Sequence, residues 1–97
     1  MPLSQQQRKA FKQEAHHLKP VIMTGSAGLS TAVLAEIDLA LNHHELIKIR
    51  FGAGDRDDRK AMITECCEKL KAELVQQIGA TASIYRRNPD KNPKPKI

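Results

Sequence analysis

The sequence has very few aromatic residues. Tryptophan is absent, and Phe11, Phe51 and Tyr85 are the only aromatic side chains among 97 residues. A hydrophobic core therefore has to be built mainly from leucine, isoleucine, valine and alanine. The same scarcity disfavours recognition of a ligand by stacking of nucleic-acid bases on aromatic rings.

Cysteine is almost absent too, and its placement argues against disulfide or redox chemistry. Cys66 and Cys67 are adjacent on a helical pattern, so their side chains point about 100° apart around the helix. A disulfide between them is disfavoured, and no C-x-x-C spacing indicates zinc or redox work. We expect one of them to be a buried small hydrophobic residue and the other a half-buried neighbour.

No long apolar run occurs. None approaches the ~20 residues that a membrane span requires, and residues 1–8 are polar, unlike the apolar centre of a signal peptide. We therefore expect a cytoplasmic protein that does not engage membranes. Its length favours one domain, and we expect a monomer.

The spacing of histidine, acidic and hydroxyl residues in the sequence also indicates no metal site and no catalytic site. His16-His17 and His43-His44 are adjacent pairs, so each pair offers at most one ligand on a helix face, and no acidic cluster accompanies them. No pair of carboxylates is placed for acid–base chemistry, and Ser26 has no evident base. We expect no enzyme activity, no metal, no cofactor and no small-molecule substrate.

Positive charge is in excess, but it is unevenly distributed. The formal charge is +5, with a pI near 9.5. Residues 86–97 carry +4, and residues 1–85 carry only +1. Residues 88–97 hold three prolines among lysines and asparagines and cannot form a core, so we predict a domain at 1–87 and a disordered basic tail at 88–97. Polyanion binding would then depend on clustered charge and on the tail.

Hydrophobic periodicity predicts three helices and four strands. Strand–helix–strand connections favour parallel pairing through right-handed crossovers, and the turn at Gly79 and Ala80 favours an antiparallel hairpin. The sequence thus predicts a two-layer α/β (α+β) fold with a four-stranded mixed sheet. The order is helix, strand, helix, strand, helix, strand, strand, at residues 5 to about 16, 20–24, 30 to about 44, 46–51, about 56–70, 72–78 and 81–85.

The segment from Gly25 to Gly28, G-S-A-G, lies between the first strand and the second helix. Backbone N–H groups at a helix N-terminus, with glycines that permit close approach, form an anion site, and Ser26 adds a hydroxyl. A plain strand-to-helix turn explains the same spacing, and the spacing alone favours that turn. The segment is neither a nucleotide P-loop nor a dinucleotide fingerprint, since G-K-[ST] and a third glycine are missing.

Cations on the second strand and after the last strand leave two interpretations open. The alternation in residues 46–51 places Ile47, Ile49 and Phe51 inward and Lys48 and Arg50 outward. These two cations are either a solvated face or a basic stripe that continues from the glycine loop. Residues 86 and 87, both arginine, either bind a polyanion together with the tail or only improve solubility.

Several stretches together resemble the CRM domain, an RNA-binding module of chloroplast splicing and ribosome-maturation factors. The match is closest to the free-standing bacterial, YhbY-type version and spans about residues 3–87. It is carried by Leu18-Lys19-Pro20, by the G-S-A-G loop with Leu29, by His44-Glu45-Leu46 with Lys48, and by the hairpin with Gly79 and Tyr85.

The resemblance implies a fold like the C-terminal domain of the third bacterial translation initiation factor, with sheet order 1-2-4-3 and strand 4 antiparallel to the others. It likens the glycine loop to the backbone-clamping loop of KH domains. Family loops often carry a lysine or arginine between the glycines, whereas this loop has Ser26 and Ala27. Phosphate would then be held by N–H groups, Ser26 and neighbours such as Lys19.

The bacterial members of the family are associated with precursors of the large ribosomal subunit. The resemblance therefore implies binding to ribosomal RNA during assembly of that subunit. Two alternatives remain: a protein-interaction module that docks through Leu39 or the tail, and a small phosphate-handling enzyme. The expected RNA-binding residues are Lys19, Gly25, Ser26, Ala27, Gly28, Lys48, Arg50, Arg86 and Arg87.

Overall fold

A computed structural model describes residues 3–24, 28–52 and 54–88. These residues form three helices and four strands in the predicted order. Strand β1 is shorter than the sequence indicated, because Pro20 and Val21 precede the paired segment. The elements are α1 (Gln5–Ala15), β1 (Ile22–Thr24), α2 (Thr31–His44), β2 (Leu46–Phe51), α3 (Arg56–Leu70), β3 (Glu73–Ile78) and β4 (Thr81–Tyr85).

The strands form one mixed sheet with the order β1-β2-β4-β3. Strands β1 and β2 are parallel, with Ile22 opposite Ile49, and β4 is antiparallel to both of its neighbours, β2 and β3. The predicted fold class, strand order and strand directions are confirmed.

Helices α2 and α3 cover one face of the sheet and enclose the main core. Alternation along β2 directs Ile47, Ile49 and Phe51 to this face, where each is at most 1% exposed. Between the two helices and the strands lie the remaining buried residues of this cluster: Ile37, Leu41, Ile63, Cys66, Ala72, Ala82 and Ile84. As the composition requires, Phe51 is the only aromatic residue among them.

Helix α1 packs on the opposite face, which adds a partial third layer to the two predicted from the sequence. Ala15 is buried there against Leu46 and Val75, and the ring of Phe11 stacks on Tyr85 with centroids 4.3 Å apart. Arg8 ties α1 to the edge strand by donating to the carbonyl oxygen of residue 74. Helix α1 covers only the end of the sheet where β2 begins.

The two cysteines are placed as the sequence indicated. Cys66 is buried in the main core, and Cys67 is half-buried beside it. Burial raises the pKa of the Cys66 thiol to about 12 and that of Cys67 to about 11. Both thiols are therefore protonated at neutral pH and poorly nucleophilic.

Candidate nucleic-acid interface

The described parts of three connections lie at one end of the sheet, which we call the loop end: residues 24 and 28–30, residues 52 and 54–55, and residues 79–80. The N–H of Gly52 donates to both oxygens of Thr24, the carbonyl and the hydroxyl, at 3.3 Å. The N–H of Phe51 donates to the carbonyl oxygen of Ala80 at 2.7 Å. These bonds bring the ends of β1 and β2 and the β3–β4 turn together, because parallel strands finish at the same edge.

Helices α2 and α3 both begin at the loop end, but their first turns differ in charge. Asp55 caps α3 in a reciprocal capping box with Asp58, and Asp57 adds a further carboxylate. The first turn of α2 has no acidic residue, and its cap, Ser30, accepts from the N–H of Val33 at 3.1 Å. The backbone N–H groups at the start of α2 therefore face no competing carboxylate, whereas carboxylates already occupy the start of α3.

The glycine loop is described only at its last residue. Gly25, Ser26 and Ala27 lie outside the described residues, so their predicted role stays a prediction. Gly28 has φ of +71°, and a Cβ atom built on it would lie 3.3 Å from the sulfur of Met62 on α3. The positive φ thus favours glycine at this position whatever the loop binds, and an added methyl group would also press on the Met62 side chain.

Lys48 and Arg50 lie on the face of the sheet that α1 only partly covers. Lys48 is half-buried and Arg50 is exposed. Arg50 is opposite Met23 on β1, one residue before the end of that strand, and so lies beside the loop end. Among residues 3–24, 28–52 and 54–88, no ion pair or hydrogen bond is found for either side chain. Their charges are therefore available to a ligand.

Lys19 lies on the same side of the molecule, farther from the loop end. It lines a pocket of about 400 Å³ together with Lys48, Val21 and Leu46. Glu14 from α1 also borders this pocket and offsets part of the positive charge. The structure thus brings Arg50, Lys48 and Lys19 into one row that runs away from the loop end.

Arg86 does not present its charge to solvent. Its guanidinium forms an ion pair with Asp38 at 2.8 Å and donates to the carbonyl oxygens of Asp38 and Leu70 and to the side chain of Asn42. Its side chain is 18% exposed. These contacts join β4 to the C-terminal ends of α2 and α3, so the geometry gives Arg86 a structural position that the sequence did not reveal.

Arg87 is exposed, but it lies at the opposite end of the sheet from the glycine loop. The preceding residue donates its N–H to the carbonyl oxygen of Glu45, where β2 begins, and β2 spans about 17 Å. Asn88 is also fixed: its N–H donates to Glu45 and its amide to Asn42. Asn88, the first residue of the predicted disordered tail at 88–97, is thus anchored to the helix and strand ends, and the rest of that predicted tail lies outside the described residues.

Sequence reasoning missed the apolar residues that flank this row of cations. Met23 on one edge strand is 68% exposed, and Ile78 on the other is 63% exposed. Met23 pairs with Arg50 and Ile78 pairs with Thr81 in the sheet. Paired residues share a face, so both apolar side chains lie on the open face. Outward alternation in β1 and β3 was the signal for them, but it could be read only once the sheet order was known.

A second group of cations gathers at the loop end. Arg56, Arg59 and Lys60 line an open pocket of about 390 Å³ with Gln77 and Gly79 of the hairpin. Arg59 also donates to the carbonyl oxygen of Gly54 at 3.1 Å. The neighbouring aspartates are drawn toward the start of α3 by the capping box, so the charges that the sequence interleaves are partly separated in space.

Two kinds of feature, a membrane-spanning helix and a metal-binding cluster, are not found in the described residues. Within 3–24, 28–52 and 54–88, no helix combines the length and apolarity that crossing a bilayer requires. In the same residues, no three or more histidine, cysteine or acidic side chains gather in a way that could hold a metal ion.

The fold and surface define a class: a small α+β domain whose mixed sheet leaves a cationic face open beside a glycine loop. The family model described as CRS1 / YhbY (CRM) domain matches residues 3–86. This chain belongs to that family. The family resemblance identified in the sequence is confirmed.

Individual relatives and a solved structure agree with this assignment. The chain is 49% identical to "Probable RNA-binding protein PA4753" of Pseudomonas aeruginosa, over 95% of this chain and 88% of the relative. It is 46% identical to a Haemophilus influenzae protein named "RNA-binding protein", over 87% and 85% of the two chains. The solution structure of the hypothetical protein SAV1595 from Staphylococcus aureus superposes with a TM-score of 0.80 at 30% identity, covering 93% of this chain and 94% of that one.

Proposed function

We propose that this chain binds RNA through the phosphate backbone. The observation that carries the proposal is the pair Lys48 and Arg50, two cations that lie on an open sheet face without an ionic partner among the described residues. Arg50 lies beside the loop end, where α2 begins with no carboxylate in its first turn. Relatives at 46–49% identity carry names that describe RNA binding.

Each predicted residue has a distinct part in this proposal. The loop from Gly25 to Gly28 brings backbone N–H groups to one phosphate, with Ser26 as an additional donor. Arg50, Lys48 and then Lys19 neutralise successive phosphates along the open face. Arg87 contributes long-range attraction at the far end, whereas Arg86 holds the helices in place. Such contacts fix the position of an RNA chain without reading its sequence.

The finer proposal is that the RNA is ribosomal and that the protein acts in assembly of the large subunit. Its support is the family membership, since bacterial members are associated with precursors of that subunit. Sedimentation of cell extract tests it: the protein should travel with large-subunit precursor particles at low salt. A protein found only at the top of the gradient under those conditions contradicts this assignment.

Salt dependence tests the backbone contacts directly. Replacement of Lys48 and Arg50 by glutamine removes two phosphate contacts, so the slope of log K against log salt should fall by about 1.4–1.8. A matched control replaces by glutamine two exposed lysines outside the row, Lys9 on α1 and Lys71 after α3, so that both double variants have the same net charge. Equal loss of slope in both double variants would mean that bulk charge, not this face, binds RNA.

A protein-docking surface is the second candidate. Leu39 on α2 is 58% exposed and borders an open pocket of about 240 Å³ with Val21 and Ile22. Isolated exposed apolar residues are common on protein surfaces, so this patch is weaker support than the unpaired cations. Apolar docking would be nearly independent of salt, and Leu39→Ser should abolish it without changing RNA affinity.

A further inference from the structure

A pocket of about 280 Å³ opens on the sheet face between the end of α1 and the β3–β4 hairpin. Lys48 forms part of its lining. Its volume is near the lower limit of typical small-molecule sites, ~300–1,000 Å³, so it suits a single planar group. The residues of interest in its lining are Pro20, Lys48, Gln76, Ile78, Thr81 and Ser83.

A β-bulge in the edge strand β3 directs a polar side chain into this pocket. Leu74 is opposite Ile84, but the next pair is Gln76 with Ser83, so Val75 is the extra residue. The bulge lets Val75 pack beneath α1 while Gln76 turns to the same face, one position earlier than regular alternation allows. Without it, Gln76 would share the core face with Leu74.

The polar groups of the pocket are not used within the fold. No hydrogen bond of the side chains of Gln76, Thr81 or Ser83 is found in the described part of the chain, although Ser83 is only 4% exposed. Gln76 and Thr81 are half-buried, so the free amide and hydroxyl groups of the pocket can bond to a ligand that supplies donors and acceptors. Pro20 and Ile78 add apolar surface that can contact the faces of a flat group.

The charge of the pocket selects the kind of ligand. Among the residues that the structure describes, its lining contains Lys48 and His16 but no carboxylate, and Arg50 precedes it in the row of cations that starts at the loop end. A backbone that follows this row passes the rim of the pocket. A polyanion that carries flat, hydrogen-bonding groups fits both features, whereas an acidic peptide supplies charge without such groups.

We propose that this pocket receives one unpaired base of the bound RNA. The inference depends on the proposed function and refines it: the ligand is single-stranded or bulged RNA, since a base in a duplex cannot leave the stack without cost. Lys48 holds the adjoining phosphate, and the amide of Gln76 and the hydroxyls of Thr81 and Ser83 bond to the edge of the base. Few aromatic residues are then needed.

A charge-matched ligand separates base binding from phosphate binding. The probes are a mixed-sequence RNA strand of about 12 nucleotides, the same strand with abasic sites, and the corresponding duplex. Wild-type protein should bind the intact strand about tenfold more tightly than the abasic strand or the duplex. All three carry phosphates, so affinity for each should fall as salt rises.

Variants of the lining connect this preference to the pocket. Gln76→Ala, on an edge strand, should reduce the preference to about threefold or less while affinity for the abasic strand stays constant. The isosteric Thr81→Val should act in the same direction and serves if Gln76→Ala fails to fold. Gln13→Ala, an exposed glutamine on α1, is the control and should leave the preference unchanged.

The possible outcomes distinguish this inference from the proposed function. If intact and abasic strands bind wild-type protein equally and with steep salt dependence, backbone binding stands, and the pocket serves another ligand such as a peptide side chain. An unchanged preference in folded Gln76→Ala and Thr81→Val also overturns the inference. If no RNA binds in a salt-dependent way, the proposed function itself is wrong.

Discussion

Replacement of Arg86 by alanine separates the structural from the sequence-based interpretation of the arginine pair. The sequence places Arg86 and Arg87 together as candidate RNA ligands. In the structure Arg86 bonds to Asp38, Asn42 and Leu70, whereas Arg87 is exposed. We therefore expect Arg86→Ala to lower stability and Arg87→Ala to lower RNA affinity.

The expected loss of stability follows from the environment of each partner. Breaking a fully buried ion pair costs about 3–5 kcal/mol, but here the side chain of Asp38 is 48% exposed and that of Arg86 is 18% exposed. Water can solvate the carboxylate and Asn42, whereas the carbonyl of Leu70 loses a charged donor. We expect a loss of about 2–3 kcal/mol, and so a fall in Tm of about 10–20 °C for a domain of this size.

Urea unfolding of both single variants supplies the measurement, with RNA affinity determined well below each transition. Arg86→Ala should shift the urea midpoint and leave affinity within about twofold. Arg87→Ala should leave the midpoint unchanged and reduce the salt slope by about 0.7–0.9. The reverse pattern, in which Arg86→Ala unfolds like wild type but binds RNA poorly, would refute the structural role.

Three further predictions concern the cysteines, the glycine loop and the C-terminal tail. Cys66 and Cys67 should react with iodoacetamide far more slowly in folded than in urea-unfolded protein, and fast alkylation of the folded protein would contradict this. Because burial raises the pKa of both thiols, the thiols of the unfolded chain ionise first as the pH rises. The free energy of unfolding should therefore fall from about pH 9 upward. Gly28→Ala should cost about 1–2 kcal/mol by urea unfolding, since φ is positive, whereas Ser26→Asp should leave the midpoint unchanged and weaken RNA binding by charge repulsion. Removal of residues 89–97 should weaken binding equally for all RNAs, and a sequence-selective loss would exclude a nonspecific arm.

The sequence by itself was sufficient for the elements, the fold class and the family. Local signals decide these features. Ser30 and Asp55 cap helices as their residue types indicate. The alternation of residue types in β2 determines that Ile49 faces the core and that Lys48 and Arg50 face away from it. The family resemblance was carried by several short stretches, from Leu18-Lys19-Pro20 and the glycine loop to the hairpin with Gly79 and Tyr85. Such signals act within a few residues, so they can be read without the tertiary structure.

The position of each charge was decided only by the tertiary structure. Arg86 and Arg87 are equivalent in the sequence, yet the first turns to the helix ends and the second to solvent, because partners 44–48 residues away lie beside only one of them. The bulge at Val75 likewise determines which face Gln76 occupies. One extra residue in a strand moves every later side chain to the other face of the sheet, and contacts with distant residues determine the position of that extra residue. The environment of Arg86 and the facing of Gln76 therefore cannot be read from the local sequence pattern.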